Sequence, residues 1–194
     1  MTGQEHPPPT DPRERRRLAR RHEIMDVALA IAEGEGWEAV TTRRVARSID
    51  YSQPVIYQHF ASRDDLVAAI ARRGFDTLTG EIESVARTGG ARPFEGLCRR
   101  YVEFGRRRPR LYEVMFGAPT SLVFATADTP EELRRTFLTL RELVARGHQS
   151  EDADGVTEFF WACCHGLVSL LLAGRIPETR VEEHVRRIGH LLDG

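Results

Sequence analysis

The feature that most narrows the folds open to this chain is a spacing. Ala46, Asp50 and Ile56 stand four and then six residues apart, inside two short segments with helical apolar periodicity. Val45, Ala46 and Ile49 mark the first segment, and Ile56 and Phe60 mark the second. A small residue at 46 lets a following helix pack close, and an aliphatic residue at 56 points inward. Position 50 must turn the chain with positive φ. Glycine is usual there, and aspartate is among the few other residues that tolerate the left-handed region. Thr41 or Thr42 caps the first helix. Gln53 and Pro54 open the second, with proline in the first turn, where its missing N–H costs little. The spacing predicts a helix-turn-helix around the turn Asp50-Tyr51-Ser52.

The rest of the chain reads the same way, and the expected fold is all-α with about nine helices. Ile24, Val27, Ala28 and Ile31 give a first helix from Leu18, stopped by Gly34 and Gly36. Ser62-Arg63-Asp64-Asp65 resembles a capping box that opens a long fourth helix. Leu66, Ile70, Leu78 and Ile82 face inward on it, and Thr88-Gly89-Gly90 breaks it. Pro93 and Pro109 open the fifth and sixth helices, and residues 117 to 128 read as a loop. Thr129-Pro130-Glu131-Glu132 starts the seventh, which runs to about Arg146. The eighth, from about Asp154 to Ala173, is apolar nearly all round and is expected to be buried. The ninth, Pro177 to Leu192, carries Val181, Val185, Ile188 and Leu192 on one stripe. No strand and no internal repeat is evident. The expected organisation is a disordered tail over 1–12, a helix-turn-helix domain over 13–63 and a second helical domain over 64–194.

Charge narrows the function. The net charge is only −1, yet Arg13 to Arg21 holds six arginines against one glutamate. Thr41 to Arg63 holds four against Asp50, and Glu23 to Glu38 between them is acidic. Basic charge focused on two segments suits a local nucleic-acid footprint. All 28 basic residues are arginine, a bias that fits GC-rich codon usage. Three cysteines, Cys98, Cys163 and Cys164, have no metal-ligand spacing. The adjacent pair reads as small hydrophobes, with redox sensing as the alternative. The longest apolar run, Phe159 to Ala173, is 15 residues. A bilayer needs about 20. With a polar, proline-rich start and no secretory signal, a cytoplasmic location, no membrane partner and no cofactor are expected.

Three blocks carry a family resemblance: Thr41-Thr42-Arg43-Arg44-Val45-Ala46, then Ser52-Gln53-Pro54-Val55-Ile56-Tyr57-Gln58-His59-Phe60, then Ser62-Arg63-Asp64-Asp65-Leu66. Together they resemble the TetR (tetracycline-repressor) family over about residues 18 to 70. Further on, Trp161-x-x-x-His165-Gly166 resembles the Trp-His-Gly (WHG) type of C-terminal domain in that family. The resemblance implies a ligand-responsive repressor, not an enzyme. Such a protein acts as a homodimer on a palindromic operator and dimerises through its last two helices.

Residue chemistry adds to this. Gln53 starts the recognition helix, and a glutamine pairs bidentately with adenine. Arg43 suits a guanine or a phosphate. Thr42 and Ser52 offer short hydroxyls at helix starts to phosphates, and Pro54, beside Gln53 in the first turn, is counted among the DNA-binding residues. The resemblance implies phosphate contacts for Tyr57, His59 and Arg63. The segment Arg13 to Arg21 stays open between a DNA-contacting arm and a solvated helix start. In the C-terminal half, Tyr101, Phe104, Met115, Phe116, Phe160, Trp161 and His165 are candidate lining for a pocket that takes a small apolar or amphipathic effector. Plain core packing is the competing reading for that set. Two other functions compete: a small helical enzyme built on His165, and an interaction module that has lost DNA binding.

Overall fold

The computed structural model describes residues 11–88, 92–117, 126–147 and 152–193. Among them are nine α-helices and no strand, in agreement with the all-α expectation. The expected tail (but for its last two residues), the Gly89-Gly90 break and most of the 117–128 loop lie outside the described residues. The chain divides into two compact units, residues 1–69 and 70–194.

The first unit begins with α1 (Pro12–Glu35), six residues earlier than the apolar periodicity indicates. Capping supplies the missing signal. The Asp11 carboxylate accepts the Arg13 N–H at 2.9 Å, and Pro12 takes the first helical position. The helix passes through Gly34 and ends at Gly36, whose φ of 85° only glycine adopts readily. A 3-10 turn, Trp37–Ala39, follows and buries Trp37. Then comes α2 (Thr42–Ser48), capped by Thr41, whose hydroxyl accepts the Arg44 N–H at 3.1 Å. Asp50 has φ 54°, the left-handed turn that the spacing requires. This lets the Tyr51 N–H reach back to the Ala46 carbonyl at 2.9 Å. The short α3 (Gln53–Tyr57) sinks Ile56, and Phe60 just beyond it, into a core with Ile24, Val45 and Leu66. Ser62 caps α4 (Arg63–Thr88) by accepting the Asp65 N–H at 3.0 Å, and Asp65 accepts the Ala61 N–H at 2.9 Å. This is a capping box displaced by one residue.

The second unit takes the rest of α4 with α5 (Pro93–Arg107), α6 (Pro109–Phe116), α7 (Glu131–Gly147), α8 (Ala153–Leu172) and α9 (Val181–Asp193). A 3-10 turn, Glu178–Arg180, precedes α9. The α5/α9 seam is the tightest. A Cβ on Gly189 would lie 2.6 Å from the Glu95 backbone, so glycine sets how closely these helices approach. At one end of the seam the Asp193 carboxylate accepts the N–H groups of Phe94 and Glu95 at 3.1 and 3.2 Å. A residue nearly a hundred positions away thus satisfies the first-turn donors of α5.

The structure corrects the reading of α8. It spans 20 residues, long and apolar enough to cross a membrane by length and composition alone. Only one face, which includes Phe160, Cys164, Leu167 and Val168, is buried. Phe159 and Leu170, on another side, are 52% and 47% exposed. The periodicity was hidden because both faces are apolar. On α9, Val181, Val185 and Leu192 are buried as the stripe implies, while Leu191 is exposed.

Candidate nucleic-acid interface and ligand cavity

In the first unit the turn delivers α3 with its polar side outward. Tyr57 is about half exposed, and Arg43, Ser52 and Pro54 are exposed. Ser52 precedes α3 without spending its hydroxyl on a cap. Thr42 behaves differently. It is buried, and its hydroxyl accepts the Gln53 side-chain amide at 3.0 Å, with the Tyr57 hydroxyl 3.4 Å from the same nitrogen. Thr42 therefore orients Gln53 and does not present its own hydroxyl outward. With its NH2 held, the Gln53 carbonyl oxygen is the part left to meet a partner.

Arg63 has partners that the sequence does not indicate. Its Nε donates to the Val40 carbonyl at 2.7 Å and its Nη2 to the Trp37 carbonyl at 2.8 Å. The guanidinium fork ties the start of α4 to the 3-10 turn and the approach to α2, 23 and 26 residues away in sequence. His59 is partly buried. Its Nδ1 is the only buried side-chain polar atom without a hydrogen-bond partner among the described residues. Burial first, then the cations Arg17, Arg20 and Arg21, hold its pKa below the ordinary histidine value, so the ring is neutral near pH 7. Arg21 donates to the His59 carbonyl and stacks 4.1 Å from the Phe60 ring centroid. Sequence reasoning missed both arginine staples, because their partners are backbone carbonyls that no side-chain motif records.

The second unit encloses a cavity of about 580 Å³. Of the seven candidates, Tyr101, Phe116 and Trp161 line it. Phe104, Met115 and Phe160 are packed into the core, at most 1% exposed, and do not line it. The wall is completed by Phe75, Leu78 and Ile82 of α4 and Leu133, Thr136, Phe137 and Leu140 of α7. These were missed as lining, although their spacing at i, i+3 and i+7 marks an inward face. Two polar pairs in this wall are satisfied internally, while the Arg134 and Glu158 side chains also line it. The Thr136 hydroxyl bonds that of Thr79 at 2.7 Å, and Trp161 Nε1 donates to the Tyr101 hydroxyl at 3.0 Å.

His165 is not in the cavity wall. It sits at the far end of a polar row that continues from Tyr101 to Tyr112 (3.2 Å), to His165 Nδ1 (2.7 Å) and from Nε2 to Ser169 (3.3 Å). Burial lowers its pKa and raises those of both tyrosines. Ser169 lies on the exposed flank of α8. No cluster of three or more metal-ligating side chains occurs among the described residues. Cys163 and Cys164 are free thiols, with pKa values raised chiefly by burial, as expected of inert core sulfur.

Residues 24–70 match the family described as bacterial regulatory proteins, tetR family, and residues 94–192 match the tetracyclin repressor-like C-terminal domain. The HTH-type transcriptional repressor KstR of Mycolicibacterium smegmatis is 31% identical over 140 residues, covering 69% of this chain and 67% of that protein. Among solved structures, a Rhodococcus protein of unknown function has a TM-score of 0.76 at 24% identity, covering 89% of this chain and 92% of that one. The TetR-family regulator PfmR of Thermus thermophilus has 0.63 at 16%, covering 87% and 96%. At these identities the two structures speak for the fold alone.

Proposed function

The chain belongs to the TetR family of DNA-binding transcription regulators, and from that premise we propose that it is a ligand-responsive repressor acting as a homodimer on a palindromic operator. The observation that carries this reading is the left-handed Asp50 turn, which presents Gln53, Tyr57 and Arg43 on the outward side of a two-helix unit. Gln53 reads a base edge, with Thr42 holding its amide. Arg43, Ser52, Tyr57 and His59 meet phosphates or base edges, and Pro54 shapes the helix start between them. Residues 13–63 form the DNA-binding domain and 64–194 the ligand and dimerisation domain. The name repressor borne by KstR supports the sign of regulation.

The second copy covers the outward apolar residues of α8 and α9, among them Phe159, Leu170 and Leu191. Two recognition helices about 34 Å apart then enter successive major grooves. The cavity takes a small effector whose buried part is apolar, because its wall is mostly aliphatic and aromatic, with Arg134 and Glu158 as its charged groups. Tyr101, Phe116 and Trp161 contact it. An effector that prefers the form with misplaced recognition helices weakens operator binding by about 5–150-fold, a coupling of about 1–3 kcal/mol. The protein works in the cytoplasm, where the DNA is.

Fluorescence anisotropy on duplexes tiled across the DNA beside its own gene tests the reading, with sedimentation at micromolar concentration. Salt-sensitive binding to one tile above the rest by a dimer is expected. Equal binding to all tiles, or a monomer, would overturn it.

A further inference from the structure

Arg13, Arg16, Arg17 and Arg20 recur at i, i+3, i+4 and i+7 and so share one side of α1. Eleven and eighteen residues beyond Arg13, that same side carries Ile24 and Ile31, both buried. The inward-facing stripe of α1 therefore changes from aliphatic to arginine where the helix leaves the body of the unit, and every residue from 11 to 20 is exposed.

These turns are electrostatically adverse as a free helix. Cations near the start oppose the macrodipole, and like charges three and four apart repel. No burial compensates over residues 11 to 20. The Asp11 cap and Glu14 offset this only in the first turn, so four arginines on one exposed side point to a partner that matches them. The stripe also has a definite end. Arg20 lies 5.1 Å from the Tyr51 ring centroid, and Arg21 donates to the His59 carbonyl just past α3. Exposed Tyr57 and the unpartnered Nδ1 of His59 stand at that junction. The run from Arg13 to Arg20 is about 10 Å long at 1.5 Å per residue. That matches roughly three phosphates of one strand at about 3.4 Å each along the duplex. A small anion would use one or two of these arginines and leave the others unmatched.

We propose that the arginine side of α1 is a second DNA-contacting surface, which grips the phosphate backbone beside the groove that α3 enters. This rests on the operator-binding reading above.

The test compares wild type with the triple variant Arg13→Gln, Arg16→Gln, Arg17→Gln on the best-bound tile and on a scrambled duplex of the same composition. Glutamine keeps helix propensity, and thermal melting checks the fold. The slope of log K against log salt is expected to fall by about 2.7 per subunit, equally on both duplexes. The matching Arg→Lys triple variant is expected to keep the wild-type slope. A Gln variant with a slope within one unit of wild type, an altered base preference, or a Lys variant that loses as much as the Gln variant would overturn the proposal and leave the operator-binding reading standing. Failure of the wild type to bind either duplex would overturn both.

Discussion

The two units lean on different polar contacts. In the first, long polar side chains reach to backbone carbonyls: Arg63 to Val40 and Trp37, Arg21 to His59. In the second, the buried polar side chains Thr79, Thr136, Tyr101 and Tyr112 find one another. A small body has little apolar area to bury, and charged staples fix its shape while Tyr57 stays exposed. A larger body built on aromatic packing keeps a cavity lined mainly by apolar side chains, with Thr136 and Tyr101 on its wall bonded to buried neighbours.

If packing governs the second unit, Phe160→Ala gives the largest effect. This ring is 1% exposed and meets Phe94 edge-on at 5.9 Å. Its loss is expected to cost about 3–5 kcal/mol in urea unfolding. A cost under about 1 kcal/mol would break the contrast. If staples govern the first unit, Arg63→Ala is expected to cost about 2–3 kcal/mol, because two carbonyls lose charged donors. Arg63→Lys should not rescue it, since an ammonium lacks the planar fork. The salt dependence of DNA binding should change little in either variant. A slope lower by a full unit with stability intact would return Arg63 to the phosphate role that the family resemblance implies.

Gln53→Ala is expected to relax preference at one base pair by about 1–3 kcal/mol, read by anisotropy on single-substituted duplexes. Thr42→Val, which frees the Gln53 amide without removing it, should give a smaller loss at that same base pair. A loss spread over several positions would deny Thr42 its orienting role.

The smallest effect is on acid stability. His59 and His165 both titrate below the ordinary histidine range, His59 through burial and then its arginine neighbours, His165 through burial. Unfolded, each takes up a proton near pH 6.5. The stability gained by keeping them neutral is complete above that pH and is lost as the pH falls below it. The melting temperature should drop between pH 7 and pH 5, and His59→Gln and His165→Gln should each flatten the drop.

The helix-turn-helix was legible because its constraints are local. Ala46, Asp50 and Ile56 answer to steric rules that act within ten residues, and Asp50 takes the required φ. Proline and glycine marked helix ends for the same reason. The Arg63 staple was not legible because a charge in the sequence says nothing of partners 23 and 26 residues away. The cavity was found only in part because bulk suggested its lining. Phe104 and Met115 are large, yet they fill the core, while Leu133 and Leu140 look like any other core leucines. The outward side of α8 was invisible because composition cannot separate two apolar faces.

The row from Trp161 to Ser169 has a sense as well as a route. With the His165 proton on Nε2, each donor passes to the next acceptor: Trp161 to Tyr101, Tyr101 to Tyr112, Tyr112 to His165, His165 to Ser169. With the proton on Nδ1, the two tyrosines turn over, and the Tyr101 proton loses its place in a row that is buried at that end. Trp161, a donor only, does not turn, and the two tyrosines turn together. Neither tyrosine can be turned alone, so the sense of the Tyr101 hydroxyl is settled by which nitrogen holds a proton on a ring that never touches it.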